Sequence, residues 1–418
     1  MFYGLPFDNP ESIYGGDYIL GTYFVTGVTG DDALNKLGMF SVGQSTGTWM
    51  PVPGITKQMV EEHQGRVVGC YPVPAQEPGA YVLRVAFPYS NIGGSISMLL
   101  TTLAGNDAST ALCAKLIDVE LVGKAKSAFH GPHFGIEGVR KLTGVYDRPV
   151  VMNMIKPCTG FPATAGAEFF YASGSGGVDI IKDDELMGNT SFNSVADRVR
   201  EYGKAAARIA GEKGKAPIYL PNVTDRHDRM RDNIKAAIDG GAKGVMVNFI
   251  FTGLDSLAAL TSEFGDKVMF LAHAAGVGVM TGYPQGLSTS LLLGRLGRLA
   301  GADAVVTLYP LGMGGEGFQE LQMTVQKHRL PLGEVKQVLT VVGGGVTPLT
   351  VPFAVKSFGK DIIIAVGGGI QGHPDGATAG ARAMMAAVDA TMKGISLEDA
   401  AKDSPELGRA IARWGRKA

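Results

Sequence analysis

Four ionisable residues close an apolar run near the middle of the chain, in the segment Gly177–Glu185 (GVDIIKDDE). The branched apolar residues of this run are typical of a buried strand. Along a strand, Lys182 and Asp184 would share one face, and Glu185 follows where the strand ends. An amine between two carboxylates is suited either to a buried ion network or to a site for a hard cation such as Mg²⁺, which prefers oxygen ligands.

Eight short apolar runs alternate with amphipathic helical stretches after residue 149. Continuous apolar strands between helices are typical of a parallel sheet that is covered on both faces. Eight of them favour a closed (β/α)8 TIM barrel, with a doubly wound open sheet as the alternative. The runs cover residues 150–156, 178–182, 217–223, 244–250, 268–273, 304–309, 338–345 and 361–369.

Polar residues end several of these runs, and barrels carry out chemistry at the carboxyl ends of their strands. Lys156 closes the first run, Asn222 and Asn248 close the third and fourth, and His273 closes the fifth. A lysine desolvated beside a cation has its ammonium form disfavoured, so Lys156 could act as a base near neutral pH. A surface lysine and a core histidine are the structural alternatives for Lys156 and His273.

Two glycine triplets end the seventh and eighth runs. Barrels commonly bind phosphate at these two positions, through backbone N–H groups that face the anion. We therefore predict a phosphate site there, with simple turns as the alternative. The residues are Gly343, Gly344, Gly345, Gly367, Gly368 and Gly369.

The part of the chain before the barrel mixes alternating β runs with helix-like segments, which favours an α+β domain of ferredoxin-like type. A Gly- and Pro-rich stretch around residues 129–136 is typical of a boundary. The sequence therefore predicts an α/β protein with an N-terminal domain over residues 17–135 and a barrel over residues 136–418.

The composition argues against several classes of partner. Lys and Arg total 38 and Asp and Glu total 39, and this net charge of −1 gives no support for binding to nucleic acid or to an anionic membrane. Three isolated cysteines favour a reducing compartment. The first residues lack the pattern of a signal peptide, and no stretch reaches the about 18 apolar residues that span a membrane. We expect a cytoplasmic protein.

Several motifs in combination resemble the RuBisCO large-chain family, and the resemblance spans nearly the whole chain. The segment IIKDDE resembles the metal-binding signature of that family, and IKPCTG at Lys156 resembles its IKPKxG motif. The segment STGTW at 45–49 and the glycine-rich GGG…GHP pattern from Gly367 also match.

The resemblance implies a Mg²⁺ site in which Lys182 takes up CO₂ as a carbamate and becomes N6-carboxylysine. Asp184 and Glu185 would complete the protein ligands, with Asp183 as a supporting neighbour. It further implies that Lys156 is a base and that His273 has an acid/base or substrate-binding role near the metal.

The resemblance also implies a homodimer with its site at the subunit interface. Thr48 and Trp49 would contact the phosphate of the substrate from the partner subunit, and Asn106 would contact the substrate. The glycine triplets would hold the same phosphorylated small molecule.

Three departures argue against fixation of CO₂. Cys158 replaces the second lysine of the IKPKxG motif, and Ala274 replaces an arginine that binds phosphate. The stretch TLYPLGMGGEGF at 307–318 contains no lysine, although the family carries one in the corresponding loop. The chain is therefore identified as a RuBisCO-like protein of the form IV branch.

The retained groups imply an enzyme that forms a Mg-stabilised enediolate on a phosphorylated keto sugar or keto sugar acid. We predict a decarboxylase of the 3-oxo-isoapionate-4-phosphate type, active in sugar-acid catabolism, because Asn106 stands where the enolases of methionine salvage carry a lysine. The alternatives are 2,3-diketo-5-methylthiopentyl-1-phosphate enolase, methylthioribulose-phosphate isomerase, and a transcarboxylase or hydrolase. A catalytically silent regulatory protein is the non-enzymatic alternative.

Overall fold

The computed structural model describes residues 7–30, 33–47, 50, 52–74, 79–308 and 316–415. The predicted ligands Thr48 and Trp49, and residues 309–315 of the lysine-free stretch, lie outside these ranges. The chain divides into two compact units. Unit 1 contains Met1–Gly131, Gly276–Ala300 and Arg329–Lys336, and unit 2 contains Pro132–Ala275, Gly301–His328 and Gln337–Ala418.

The strands of the described residues are β1 (Tyr18–Thr26), β2 (Arg66–Pro72), β3 (Tyr81–Pro88), β4 (Cys113–Val122), β5 (Val150–Met154), β6 (Ile180–Lys182), β7 (Ile218–Leu220), β8 (Gly244–Val247), β9 (Met269–Ala272), β10 (Gly286–Leu287), β11 (Ala304–Leu308), β12 (Leu339–Gly343) and β13 (Ile362–Val366).

The α-helices of the same residues are α1 (Pro10–Tyr14), α2 (Ala33–Gly43), α3 (Lys57–His63), α4 (Ile96–Ala104), α5 (Gly135–Thr143), α6 (Ala163–Gly174), α7 (Val195–Lys213), α8 (His227–Asp239), α9 (Phe249–Thr252), α10 (Leu254–Phe264), α11 (Val277–Thr281), α12 (Thr289–Leu291), α13 (Gly297–Leu299), α14 (Glu316–Arg329), α15 (Val351–Phe358), α16 (Gly368–Gln371), α17 (Ala377–Met392), α18 (Leu397–Ala400) and α19 (Pro405–Trp414). Short 3₁₀ turns lie at Tyr89–Asn91, Gly123–Ser127 and Pro348–Thr350, and π-helical turns lie at Asp107–Ala111 and Leu292–Leu296.

Unit 1 is built on a mixed sheet with the strand order β10-β4-β1-β3-β2. β1 pairs antiparallel with β3 and β4, and β2 pairs antiparallel with β3. Buried and half-buried residues alternate in the second half of β1. Helix α4 is tied to the sheet by the buried Tyr23, whose O–H donates to the carbonyl of Leu103 at 2.8 Å. The prediction of an N-terminal α+β domain is confirmed.

One strand of this sheet comes from a distant part of the sequence. β10 runs parallel to β4 through the pairs Gly286 with Lys115 and Leu287 with Leu116. The sequence assigned residues 276–300 and 329–336 to the barrel, whereas both segments group with unit 1. The boundary between residues 135 and 136 stays a prediction.

Unit 2 is a parallel barrel with the strand order β7-β6-β5-β13-β12-β11-β9-β8. A bridge between Asn222 and Met246 joins the two end strands. It uses the bonds from Val223 N–H to the Met246 carbonyl at 3.0 Å and from Met246 N–H to the Pro221 carbonyl at 2.9 Å. The predicted TIM barrel is confirmed, and the alternative of an open sheet is wrong.

Apolar side chains fill the inside of the barrel. The strands are buried on both faces, as their continuous apolar runs predicted. In the described residues no helix is long and apolar enough to cross a membrane. The strand residues of the core cluster are Val150, Met152, Ile180, Leu220, Met246, Met269, Leu271, Ala304, Val306, Leu339, Val341, Ile363 and Ala365.

Candidate active site

Lys182 is the last residue of β6 and is completely buried. It lies between β5 and β7, opposite Met154 and Leu220. Its Nζ donates to the carbonyl oxygen of Asp183 at 2.9 Å. Burial lowers the pKa of Lys182 to about 8, against the opposing effect of the nearby carboxylates. The free amine at this position is therefore easier to form near neutral pH than that of an exposed lysine.

Asp183 anchors the end of β6 rather than facing a ligand. Both of its carboxylate oxygens accept hydrogen bonds, and both Asp183 and Arg198 are fully buried. The donors are Arg198 Nε at 2.9 Å, the Tyr219 O–H at 2.8 Å and the Asn222 N–H at 2.9 Å. This carboxylate is saturated by protein donors, which fits the supporting role that the resemblance implied.

Arg198 is a residue that the sequence reasoning missed. It lies in α7 and donates to the carbonyls of Gly188 and Asn193 as well as to Asp183, so it joins the loop after β6 to the strand end. The sequence spacing could have predicted that Arg198 is buried. The buried face of this helix follows i, i+3, i+4 and i+7 spacing, with Arg198 among Val195, Val199 and Tyr202.

Asp184 is buried and binds Lys156. Its Oδ1 accepts from the Leu186 N–H at 3.1 Å, and its Oδ2 accepts from Lys156 Nζ. Lys156 Nζ also donates to Cys158 Sγ at 3.2 Å. Partial burial opposes the charge of Lys156, but the hydrogen bonds to Asp184 and Cys158 outweigh it and raise the pKa of Lys156. The lysine is therefore an ammonium ion while it contacts Asp184.

Glu185 is the more exposed of the two carboxylates, with 30% of its side chain accessible. Its Oε2 lies 3.6 Å from Nε2 of the buried His273. The backbone carbonyl of Glu185 accepts from two side-chain amides, Asn222 Nδ2 at 3.1 Å and Asn248 Nδ2 at 2.9 Å. Residues that end β6, β7, β8 and β9 therefore meet at one point, as the sequence predicted.

His273 is held in one tautomer. Its Nδ1 accepts from the Ala275 N–H at 3.2 Å, which assigns the ring proton to Nε2. Burial lowers the pKa of His273 to about 3, and the positive charges of Lys182 and Lys156 act in the same direction. The ring is therefore neutral at physiological pH and presents an N–H donor toward Glu185.

The glycine loops after β12 and β13 touch each other and Lys156. A Cβ on Gly369 would lie 2.4 Å from the Val346 carbonyl, and a Cβ on Gly367 would lie 3.2 Å from Cε of Lys156. Gly344 and Gly345 have φ values of 98° and 66°, which favour glycine. Gly368 faces open space. The two predicted phosphate loops thus lie side by side next to the lysine.

Asn106 lies in unit 1, whereas the other described site residues lie in unit 2. It precedes the π-helical turn Asp107–Ala111 and lines a cavity of about 660 Å³. Gln44, Thr46, His63 and Asn91 line the same cavity.

The residues at the end of β6 fit a Mg²⁺ site with one added ligand. In the described part of the chain no three His, Cys, Asp or Glu side chains form a metal-binding group. Asp184 and Glu185 supply two carboxylates, and a carbamate on Lys182 would supply the third anionic oxygen ligand. A donor set made only of oxygens suits a hard cation.

The fold and this face define a protein of the (β/α)8 barrel class, whose ionisable groups lie at the carboxyl ends of the strands. Residues 135–414 match the family model described as "Ribulose bisphosphate carboxylase large chain, catalytic domain". The chain belongs to the RuBisCO large-chain family, in its RuBisCO-like, form IV branch.

Three known proteins illustrate this relationship. The chain is 40% identical to a "Ribulose bisphosphate carboxylase-like protein" of Archaeoglobus fulgidus, over 93% of this chain and 90% of the relative. It is 32% identical to a 2,3-diketo-5-methylthiopentyl-1-phosphate enolase of Bacillus pumilus, over 95% and 98% of the two chains. The structure of a dimeric archaeal Rubisco from Hyperthermus butylicus matches with a TM-score of 0.88 and 30% identity, over 96% of each chain.

Proposed function

We propose that the protein is a Mg²⁺-dependent enzyme that converts a phosphorylated ketone to an enolate, in a reaction of the 2,3-diketo-5-methylthiopentyl-1-phosphate enolase type. The observation that carries this proposal is the fully buried Lys182, with its pKa lowered to about 8 beside Asp184 and Glu185. The similarity to the Bacillus pumilus enolase over 95% of the chain supports the enolase type over the decarboxylase that the sequence favoured.

The carbamate of Lys182, Asp184 and Glu185 would hold the cation. When bound, Mg²⁺ would supply a Lewis acid that stabilises negative charge on the carbonyl oxygen of the substrate. This role is consistent with the barrel position of the three residues, since ligands of such barrels bind at the carboxyl ends of the strands.

Lys156 would take the proton from the carbon next to the carbonyl. A base must be neutral, and the contact with Asp184 keeps the pKa of Lys156 raised. Proton abstraction by Lys156 therefore requires that this contact be broken first. His273 is a weak candidate for the base, because its Nδ1 is used by the Ala275 N–H and its Nε2 carries the proton. We assign it the role of a hydrogen-bond donor.

The glycine loops at Gly343–Gly345 and Gly367–Gly369 would hold the phosphate next to Lys156, so that its binding orients the reacting carbons. Thr48 and Trp49 would complete the site from the partner subunit of a homodimer. We assign Asn106 to the same subunit as these two residues, because it belongs to unit 1 while the other described site residues belong to unit 2. The dimeric archaeal Rubisco of 30% identity supports this assembly. We assign the protein to the cytoplasm, which fits its three free cysteines.

A second candidate is decarboxylation of a β-keto acid phosphate, of the 3-oxo-isoapionate-4-phosphate type. Asn106 favours it, because the resemblance places a lysine there in the salvage enolases. Loss of CO₂ would leave the same enolate as loss of a proton, so the same residues at the end of β6 would serve both reactions.

A substrate panel distinguishes the candidates. The enzyme, with Mg²⁺ and bicarbonate, would be given the diketo-methylthio phosphate and a β-keto sugar-acid phosphate, and both enol absorbance and CO₂ release would be recorded. Enol formation without CO₂ supports the enolase, and CO₂ release from the second compound supports the decarboxylase. Turnover of neither compound by a Mg²⁺-binding protein would favour the silent regulatory alternative. Lys182→Ala is the inactive control.

A further inference from the structure

Asn248 carries a buried side-chain oxygen without a protein donor at the carboxyl end of β8. Among the described residues, none donates a hydrogen bond to its Oδ1. The residue precedes helix α9 and stands at its N-cap, yet its side chain makes no capping hydrogen bond. An asparagine at an N-cap ordinarily uses this oxygen to accept an N–H of the first helical turn. A buried acceptor left unpaired is costly, so this oxygen has a partner elsewhere.

The orientation of the amide is fixed by its other end. Nδ2 of Asn248 donates to the carbonyl of Glu185 at 2.9 Å, and a carbonyl oxygen can only accept. Flipping the amide would place two acceptors face to face. Nδ2 therefore points to Glu185, and Oδ1, bonded to the same carbon, lies beside it.

The surroundings of Asn248 belong to the candidate active site. Its N–H donates to Thr224 Oγ1 at 2.9 Å, and the preceding Val247 accepts the N–H of His273 at 2.8 Å. Asn248 is thus joined directly to the backbone of Glu185 and follows the residue that pairs with the backbone of His273.

We propose that Asn248 Oδ1 accepts a hydrogen bond from a hydroxyl group on the carbon next to the reacting carbonyl, and so favours a ketone phosphate that carries a hydroxyl there over one that carries only hydrogen. This inference rests on the proposed phosphorylated-ketone site. An acceptor-only oxygen repels phosphate and carboxylate oxygens and gives nothing to a methylthio group, which has no donor. The salvage-type diketone has no hydroxyl, so this contact would favour a hydroxylated keto sugar-acid phosphate, the substrate class of the second candidate, over the diketone.

Asn222 provides a matched control within the same site. It also donates to the Glu185 carbonyl, at 3.1 Å, but its Oδ1 already accepts from the N–H and O–H of Thr224 at 3.1 and 2.6 Å. Both asparagines therefore donate to the Glu185 carbonyl, but only the side-chain oxygen of Asn248 lacks a hydrogen-bond donor.

The test uses two probes that differ in one hydroxyl, dihydroxyacetone phosphate and hydroxyacetone phosphate. Their dissociation constants would be measured by calorimetry, with Mg²⁺ and bicarbonate, for the wild type and for Asn248→Leu, Asn248→Ala and Asn222→Leu. We expect the wild type and Asn222→Leu to bind the hydroxylated probe about tenfold more tightly, as one added hydrogen bond predicts. Both Asn248 variants should bind the two probes equally.

Thermal unfolding identifies any variant that does not fold. If one Asn248 variant fails to fold, the binding measurements on the other Asn248 variant test the proposal. Equal binding of both probes by the wild type, which would mean that Oδ1 binds only water, overturns the inference. So does a preference that survives in a folded Asn248 variant, or one that is lost equally in Asn222→Leu. If the wild type binds neither probe, the phosphorylated-ketone site itself is wrong, and the inference falls with it.

Discussion

At the scale of single residues, the site depends on a lysine whose ammonium form is destabilised by burial. Lys182 is the last residue of a strand in the barrel wall, and its amine donates to a backbone carbonyl at 2.9 Å. By contrast, the amine of Lys156 contacts the carboxylate of Asp184 directly and has a raised pKa. The pKa values of two lysines at neighbouring strand ends are thus shifted in opposite directions, because the lysines differ in burial and in partner.

The first prediction concerns the carbamate. Calorimetric titration with Mg²⁺ should show binding that depends on bicarbonate in the wild type and is lost in Lys182→Ala, because the third oxygen ligand disappears. Lys156→Met is the matched control, since it removes a neighbouring amine and keeps Lys182, and it should retain bicarbonate-dependent binding. Mg²⁺ binding that survives in Lys182→Ala would show that no carbamate is needed. Absence of Mg²⁺ binding in both this variant and the wild type would return Lys182, Asp184 and Glu185 to a structural ion cluster.

The second prediction concerns the free energy of unfolding, which burial of Lys182 lowers. The pKa of Lys182 is lowered from 10.5 to about 8 on folding, so between these values the unfolded chain binds more protons and stability rises with pH. Without bicarbonate, Lys182→Met should be more stable than the wild type at pH 7 by on the order of 3 kcal/mol.

That gap should narrow as the pH rises from about 8 toward 10.5. Urea unfolding at several pH values measures it. A stability difference that stays constant with pH would show that Lys182 titrates alike in the folded and unfolded chains. The control is Lys213→Met, which replaces an exposed lysine at the end of α7 and should leave stability close to that of the wild type.

At the scale of elements, the strand end is held from outside the barrel by helix α7. Arg198 donates from this helix to Asp183 and to two carbonyls of the loop after β6. Its side chain is fully buried. Because Asp183 directly precedes Asp184, a shift of this ion pair would move the predicted metal ligands.

The third prediction tests this anchor. Arg198→Met should lower the free energy of unfolding by about 3–5 kcal/mol, because it leaves the buried Asp183 without its partner. Arg200→Met, in the same helix but in an exposed ion pair with Asp197, should cost less than about 1 kcal/mol. Urea unfolding compares the two, and the double variant Arg198→Met/Asp183→Leu should recover part of the loss. Similar costs for Arg198→Met and Arg200→Met would contradict the anchor.

The fourth prediction concerns the contact between the two glycine loops. Gly369→Ala would bring a Cβ within 2.4 Å of the Val346 carbonyl, so the loops must separate, at about 1–3 kcal/mol. Gly368→Ala meets no atom within 4 Å and should leave the melting temperature unchanged. Weaker binding of inorganic phosphate should accompany the loss of stability in Gly369→Ala. Phosphate affinity and stability equal to those of the wild type would argue against a site built from the paired loops.

At the scale of the whole molecule, the sequence predicts whatever is encoded by local pattern. Eight apolar runs predicted the barrel because each parallel strand is buried on both faces, and the strand-end rule brought Lys156, Lys182 and His273 to one face. β10 was missed, because two residues carry no periodicity and Gly286 pairs with Lys115 from far away in the chain. Arg198 and Asn248 were not assigned roles, because their partners are set by tertiary contacts rather than by spacing.

The last prediction concerns the homodimer and a site shared between subunits. In such an assembly each active site takes Lys182 from one chain and Asn106 from the other, so Lys182→Ala and Asn106→Ala should each be inactive. When the two variants are refolded together, half of the dimers are mixed, and each mixed dimer holds one intact site. Activity should then recover to about a quarter of the wild-type value.

The matched control pairs Lys182→Ala with Asp184→Ala. Both changes lie in the barrel, so no mixed dimer contains an intact site, and activity should stay absent. Differently tagged subunits confirm that mixed dimers form, and turnover is followed on the compound that the substrate panel identifies. Mixed Lys182→Ala and Asn106→Ala dimers that form without recovered activity would place all essential groups in one subunit. Recovery in that pair and not in the barrel pair requires that the two chains complete each other's site, because no single chain in the mixture carries both residues.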